Sequence, residues 1–379
     1  MVIDKWQWGT YFTPITFIGL PFVAVCFLSI IFLNNLGLPD LRYEVLLIWI
    51  VGLLFFWLGG FLWALQKMNM KKLSNKPIAL ESSSRKQLFL FGFILFVVYV
   101  KAYLIANKHG FIFNEDFEKD FGSGITGHGM MVLRIVLIYL IITSKKRDFF
   151  SFIIIALTLG LNFLYQVKSW ILIPVIAGLV GRIILNKSQV SIGKMLLLPM
   201  IAFGVFVGVY TISLGTEVPF SFFTNHFLHY LFSGTLGMSM HLDYNYPVDD
   251  NWVYLFNPLI NIFNAITGTE ISSNSSDFWI HTGANWTNVK TFFGTIYIYG
   301  GVTKGIIISM IFGMFYYSFL FFLGISRNIY ILVVYVLLLA CLFFGWFDSY
   351  MMNLTSYEVP VLGILFFLIS KSKFNIRGV

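Results

Sequence analysis

Charge is what this chain has little of. Only 11% of its 379 residues are Asp, Glu, Lys or Arg, against about 25% in an average soluble domain. At the same time 58% are hydrophobic and 19% aromatic, so a water-soluble globule is excluded and the composition is that of a membrane protein. Cysteine is scarce too. Cys26 and Cys341 both fall in apolar runs, and neither a disulfide framework nor a cysteine metal cluster is supported. The first apolar run follows MVIDKWQWGTYFTP, lacks a small-residue cleavage site and is long enough to span a membrane. It reads as a signal anchor, not as a removable signal peptide.

A bilayer core about 30 Å thick takes roughly 20 apolar residues per helix. Ten runs reach or approach that length, near residues 14–34, 44–66, 87–107, 129–143, 149–167, 169–186, 195–214, 302–323, 329–346 and 358–370. The expectation is an all-α polytopic membrane protein with about 10 transmembrane helices, residues 1–379 forming a single integral membrane domain. Lys168 is the one charged residue between Phe149 and Gly181. As a single helix that stretch would be about 50 Å long, too long for one crossing, so Lys168 marks a turn between two helices.

The segments between the runs alternate in charge. One set, with the N-terminal segment and the tail, holds 17 of the 25 basic residues but only 3 of the 17 acids, Asp4, Glu81 and Asp148. The other set holds the remaining 14 acids and all six histidines. The positive-inside rule therefore puts both termini in the cytoplasm and every histidine outside. The net charge of +8 is then mostly topology, and no nucleic-acid partner is expected. The outer segment 215–301, between the seventh and eighth runs, is a large extracytoplasmic loop rich in aromatic stretches such as FFTNHFLHYLFSG. Short helices lying at the membrane surface and covering a cavity are expected there.

No acidic residue lies deep in an expected span, which counts against a proton- or sodium-coupled transporter. Arg134, in the fourth run, has two readings: contact with a lipid diphosphate, or a structural, snorkelling role. Lys101 reads as structural. In the large loop His226 and His229 are three residues apart and share a face if helical. Either is a candidate general base, because imidazole titrates near neutrality; the alternative is a pair of hydrogen-bonded interfacial histidines. Zinc signatures require further ligands at set spacings that this sequence does not have, so no metal is expected. His241, His281 and the loop acids Glu217, Asp243, Asp249, Asp250, Glu270 and Asp277 are weaker sources of a base.

Four features carry a resemblance: the opening YFTPITFIGLPF with the later LLFFWLGGFLW, the helix pair hinged at YQVKSW, the large late loop, and TNVKTFFGTIYIYGGVTKGI from Thr287 to Ile306. Through them the chain resembles the Wzy-type O-antigen and capsule repeat-unit polymerases, which are related to the O-antigen ligases. The resemblance implies a GT-C-like helical fold in a bacterial inner membrane. It implies transfer of a glycan from undecaprenyl diphosphate to a sugar hydroxyl of another lipid-linked repeat unit on the outer face, with no cofactor. A chain-length regulator and a flippase are the further partners it implies.

The departures are specific. Lys168 stands where an Arg is usual, the loop from Gly215 to Val289 contains no arginine, and Thr287 stands where a His often precedes the Asn, here Asn288. The lipid diphosphate would then fall to Lys168, Lys290, Arg134 and Asn288, and the base to His229 or His226. For Lys168 the alternative is simple snorkelling at a helix turn. Two other classes remain. A transporter or flippase of lipid-linked sugars would favour internal repeats and polar residues along several spans. A membrane polysaccharide acyltransferase would want a His within a span or close to its cytoplasmic end.

Overall fold

Long Leu-, Ile- and Phe-rich stretches in lipid can satisfy their backbone polar groups only internally, which leaves the helix as the structure for an isolated span. The computed structural model describes residues 2–69, 78, 85–109, 115–145, 148–165, 167–188, 192–214, 219–246, 251–269, 271, 279–283 and 285–375. Its first helices are α1 (Val2–Trp8), α2 (Pro14–Phe32), α3 (Tyr43–Asn69), α4 (Arg85–His109), α5 (Glu115–Phe121), α6 (Gly124–Thr143), α7 (Phe149–Leu164) and α8 (Ser169–Ile184). They are followed by α9 (Ile192–Leu214), α10 (Phe220–Asp243), α11 (Asn257–Thr267), α12 (Phe292–Ser326), α13 (Ile329–Phe343) and α14 (Thr355–Asn375). Two-residue strands β1 (Ile280–His281) and β2 (Trp286–Thr287) pair antiparallel between α11 and α12.

Each of the ten apolar runs lies in a helix. Among the described residues five helices are long and apolar enough to cross a membrane: α2, α3, α4, α6 and α12. Shorter apolar helices occupy 149–164, 169–184, 199–211, 329–343 and 355–370. By its helix composition this is a multi-pass membrane protein. Lys168 does separate two helices, α7 and α8. Large apolar side chains such as Phe27, Ile30, Phe89, Phe93 and Phe96 are exposed, the reverse of a soluble helix and the pattern of a lipid-facing one.

Two compact units divide the chain. The first comprises Met1–Asn75, Asn225–Ile325 and Leu338–Tyr357; the second comprises Lys76–Thr224, Ser326–Leu337 and Glu358–Val379.

In the first unit, small residues let α3 and α12 touch backbone to backbone. A methyl on Gly59 would overlap the carbonyl of Met310, and one on Gly313 the carbonyl of Phe56. Small residues at crossings are how membrane helices gain packing without a hydrophobic driving force. The helix α12 is interrupted at Gly301, whose φ of 61° and ψ of −164° are non-helical. The rings of Phe292 and Phe312 nevertheless lie 5.8 Å apart. In one unbroken helix those residues would be about 30 Å apart, so α12 is a hairpin: Phe292–Gly300 runs one way and Val302–Ser326 returns along it. A glycine serves there because only glycine takes a positive φ without strain.

The large loop differs from its expectation. Its main element is α10, 24 residues long and so roughly 36 Å, not a set of short surface helices. Its length follows from packing, because Gly234 and Gly237 of α10 admit the backbones of Phe347 and Val289 directly against the helix. Of the loop acids, Glu217, Asp249, Asp250, Glu270 and Asp277 lie outside the described residues.

In the second unit α6 is the central helix, packed against α4, α7 and α8, with Leu133 and Ile135 to Leu140 all buried. The helix α6 starts at Gly124. Gly129 is there because a methyl would strike Val98 of α4. At the other end of α6, Arg182 donates to the carbonyls of Ile141 (2.9 Å) and Ser144 (3.3 Å), and Lys187 to that of Ile142 (3.2 Å). Cations on the last carbonyls of a helix complement its dipole.

Candidate functional site

Arg134 lies ten residues into α6 and is 2% exposed. Its guanidinium sits 4.0 Å from the ring centre of Trp170, in the first turn of α8. Nε donates to the Asn162 Oδ1 at 3.4 Å, and Nη1 approaches the Met131 thioether at 3.1 Å. Asn162 is itself oriented, because its Nδ2 donates to the Thr158 carbonyl at 2.8 Å and so turns Oδ1 toward the arginine. A guanidinium is always charged and stacks well on an indole face, so a full positive charge sits on α6 against Trp170.

Lys168 stands two residues before Trp170, at the amino end of α8. Its Nζ lies 4.1 Å from the ring centre of Tyr210 and 5.7 Å from that of Phe206, both in α9. Burial pushes its pKa down to about 8, partly offset by the charge of Glu118. The second unit thus contains two of the expected diphosphate ligands, Arg134 stacked on Trp170 and Lys168 two residues before that tryptophan in the chain.

In the first unit His226 and His229 share a face of α10 as expected, with ring centres 6.5 Å apart. His229 is buried, and its Nε2 lies 2.6 Å from Thr282 Oγ1 in the β1–β2 turn. The Thr282 hydroxyl has one proton, which it donates to the Asn285 carbonyl at 2.8 Å. His229 must therefore carry its proton on Nε2 and keep its lone pair on Nδ1, an atom that is buried and without a hydrogen-bond partner among the described residues. Burial, and then the charges of His226 and His281, lower its pKa to about 4. It is a neutral imidazole with a fixed tautomer.

Lys290 and Asn288 lie on the extended segment between β2 and α12, where the Lys290 Nζ donates to the Asn288 carbonyl at 3.3 Å. Thr291 follows, fixed by the Trp49 indole N–H at 2.9 Å. The histidine influenced by the charge of Lys290 is His241, not His229. His241 is 1% exposed, and neither ring nitrogen has a partner among the described residues. His229 and His241 are twelve residues apart on α10, about 18 Å along its axis, and the Lys290 charge acts on His241, not on the expected base.

Three groups escaped the sequence reading. Asp4 of α1 is buried and accepts from the Tyr317 hydroxyl at 2.9 Å, so a carboxylate does pack against a spanning helix. Thr282 orients His229 from 53 residues away. His128 of α6 meets Glu358 of α14, Nδ1 to Oε1, at 2.8 Å. Only the outer-set charge of Glu358 and its place in the first turn of an apolar helix hinted at that pair; their separation of 230 residues leaves no local spacing to read. No group of three His, Cys, Asp or Glu able to hold a metal occurs among the described residues.

Residues 37–376 match the model of a family of unknown function, DUF6337. The chain belongs to DUF6337. No curated protein and no solved structure matches it. The DUF6337 match covers nearly all of the described helices, including every residue of the two groupings around Trp170 and α10.

Proposed function

We propose that this DUF6337 protein is a membrane glycosyltransferase that polymerises lipid-linked oligosaccharide repeat units, moving a glycan from undecaprenyl diphosphate to a sugar hydroxyl of another repeat unit. The observation that carries the reading is the stacking of Arg134 on Trp170, two residues from Lys168. When the bond to the anomeric carbon breaks, negative charge grows on the departing diphosphate, and cations fixed in a poorly hydrated site stabilise it. Arg134 and Lys168 supply such cations, and the aromatic neighbours exclude water. The charge asymmetry of the segments supports a topology with Lys168 and the 215–301 region outside and both termini in the cytoplasm; the proposed membrane is a bacterial inner membrane.

The acceptor hydroxyl needs a proton acceptor. His229 is the nominated base, with Nδ1 as the accepting atom and Thr282 as its positioning residue; His226, on the same face, is the alternative. Lys290 and Asn288 are substrate-binding candidates of the first unit. The activated sugar arrives on its own lipid, so neither a nucleotide-sugar domain nor a metal is called for.

Deletion of the gene in the source organism tests the reading. Single lipid-linked repeat units should replace long surface chains, and plasmid-borne wild type should restore them. Unchanged chain length in the deletion strain would overturn it.

A further inference from the structure

In the second unit a cavity of about 450 Å³ lies among α4, α6 and α14. That size suits a small ligand. Its wall is apolar, made by residues such as Phe93, Val97 and Val132, and its polar groups are His128 and Glu358. Phe93 and Ile125 are exposed apolar residues at its edge, so the cavity opens on an apolar flank of the helices.

The dyad has a defined chemistry. Glu358 is an acceptor, so the 2.8 Å contact is donated by His128 Nδ1–H, and the lone pair of the imidazole is left on Nε2. A carboxylate behind a histidine fixes its tautomer and ring orientation. The His128 side chain is 63% exposed, so a ligand can reach it. Glu358 Oε2 is buried and has no hydrogen-bond partner among the described residues, so the polar atom of the dyad open to a ligand is on the imidazole.

An apolar cavity that opens toward lipid and is closed by a single acceptor-bearing dyad selects an amphiphile. A phosphate head would be repelled by Glu358, and a bare hydrocarbon would bring no donor to Nε2. A hydroxyl carries no charge and has one proton to donate to Nε2. We infer that this cavity binds a lipid chain ending in a hydroxyl, with His128 Nε2 accepting the hydroxyl proton's hydrogen bond and Glu358 holding the ring. The inference is independent of the glycan-transfer reading, since it concerns binding at residues that reading does not use.

Photocrosslinking tests it. The full-length protein in lipid nanodiscs is irradiated with a diazirine-bearing hexadecanol, and the labelled peptides are mapped. Label is expected on α4 and α6 at residues 93–98 and 129–132, displaced by unlabelled hexadecanol at least tenfold better than by hexadecane. H128A and E358A should weaken labelling about tenfold at unchanged thermal stability. V132W, which fills the cavity and leaves the dyad intact, should abolish it. Equal competition by hexadecane, or full labelling in H128A or V132W, would overturn the inference by showing only the ordinary lipid annulus.

Discussion

The Arg134 guanidinium stacks at 4.0 Å on the Trp170 indole, which joins a cation of α6 to the amino end of α8. The stack depends on a planar, delocalised cation. Lysine keeps the charge but loses both the stacking and the fork of donors. R134K should therefore lower polymer formation at least tenfold at normal protein levels, measured by gel separation of the chains. Wild-type chain formation in R134K would show that the position needs only charge.

Lys168 gives a pH signature. Its pKa is lowered by burial to about 8 from an ordinary 10.5, so its charge is lost as pH rises through 8. Polymer formation should fall above pH 8 in wild type and stay level to about pH 10 in K168R, because arginine remains charged. The linked effect on stability has the opposite sense. Between pH 8 and 10.5 the unfolded chain binds more protons than the folded one, so stability rises with pH in that window. K168M should remove that rise, and an identical thermal-unfolding profile in K168M would place the titration elsewhere.

His229 should behave as a buried neutral imidazole. Its pKa is lowered from 6.5 to about 4, chiefly by burial. Its contribution to stability is present above pH 6.5 and is lost as pH falls toward 4, because the unfolded chain then takes up the proton first. H229Q should flatten the fall in melting temperature over that range. T282V, which removes the orienting hydroxyl, should cost about tenfold in rate, against a hundredfold or more for H229A, within the usual reach of a general base. Equal rates in T282V and wild type would remove Thr282 from the mechanism.

Much of this fold was legible in the sequence because membrane spans are written in length and polarity alone. The turn at Lys168 followed from the 1.5 Å rise per helical residue. The reversal of α12 was not legible, because nothing in a hydropathy pattern distinguishes a bend from a hairpin. The length of α10 was missed for a related reason: short surface helices were expected in the 215–301 loop, and the backbones of Phe347 and Val289 against Gly234 and Gly237 are visible only in the fold. At the candidate site, the shared face of His226 and His229 came from spacing. Thr282, Trp170 and Glu358 came only from tertiary contact, and so did the influence of the Lys290 charge on His241.

The glycines of α10 should be intolerant of even one methyl. At Gly234 the added carbon would overlap the Phe347 carbonyl, and at Gly237 that of Val289, both backbone atoms that cannot turn away. G234A or G237A should destabilise by roughly 1–3 kcal/mol, read as a drop of several degrees in melting temperature. G92A, where an added methyl meets nothing within 4 Å, should be neutral. A neutral G234A would mean that α10 does not pack as described.

The central claim is that Lys168 and Arg134 hold the diphosphate of a lipid-linked glycan while it is transferred. Purified protein in vesicles, supplied with lipid-linked repeat units, measures this most directly through the ladder of chains on a gel. The account predicts a ladder with wild type, a reduced ladder with K168R and none with K168A or R134A. A full-length ladder from the K168A R134A double variant, or none from folded wild type, would contradict it.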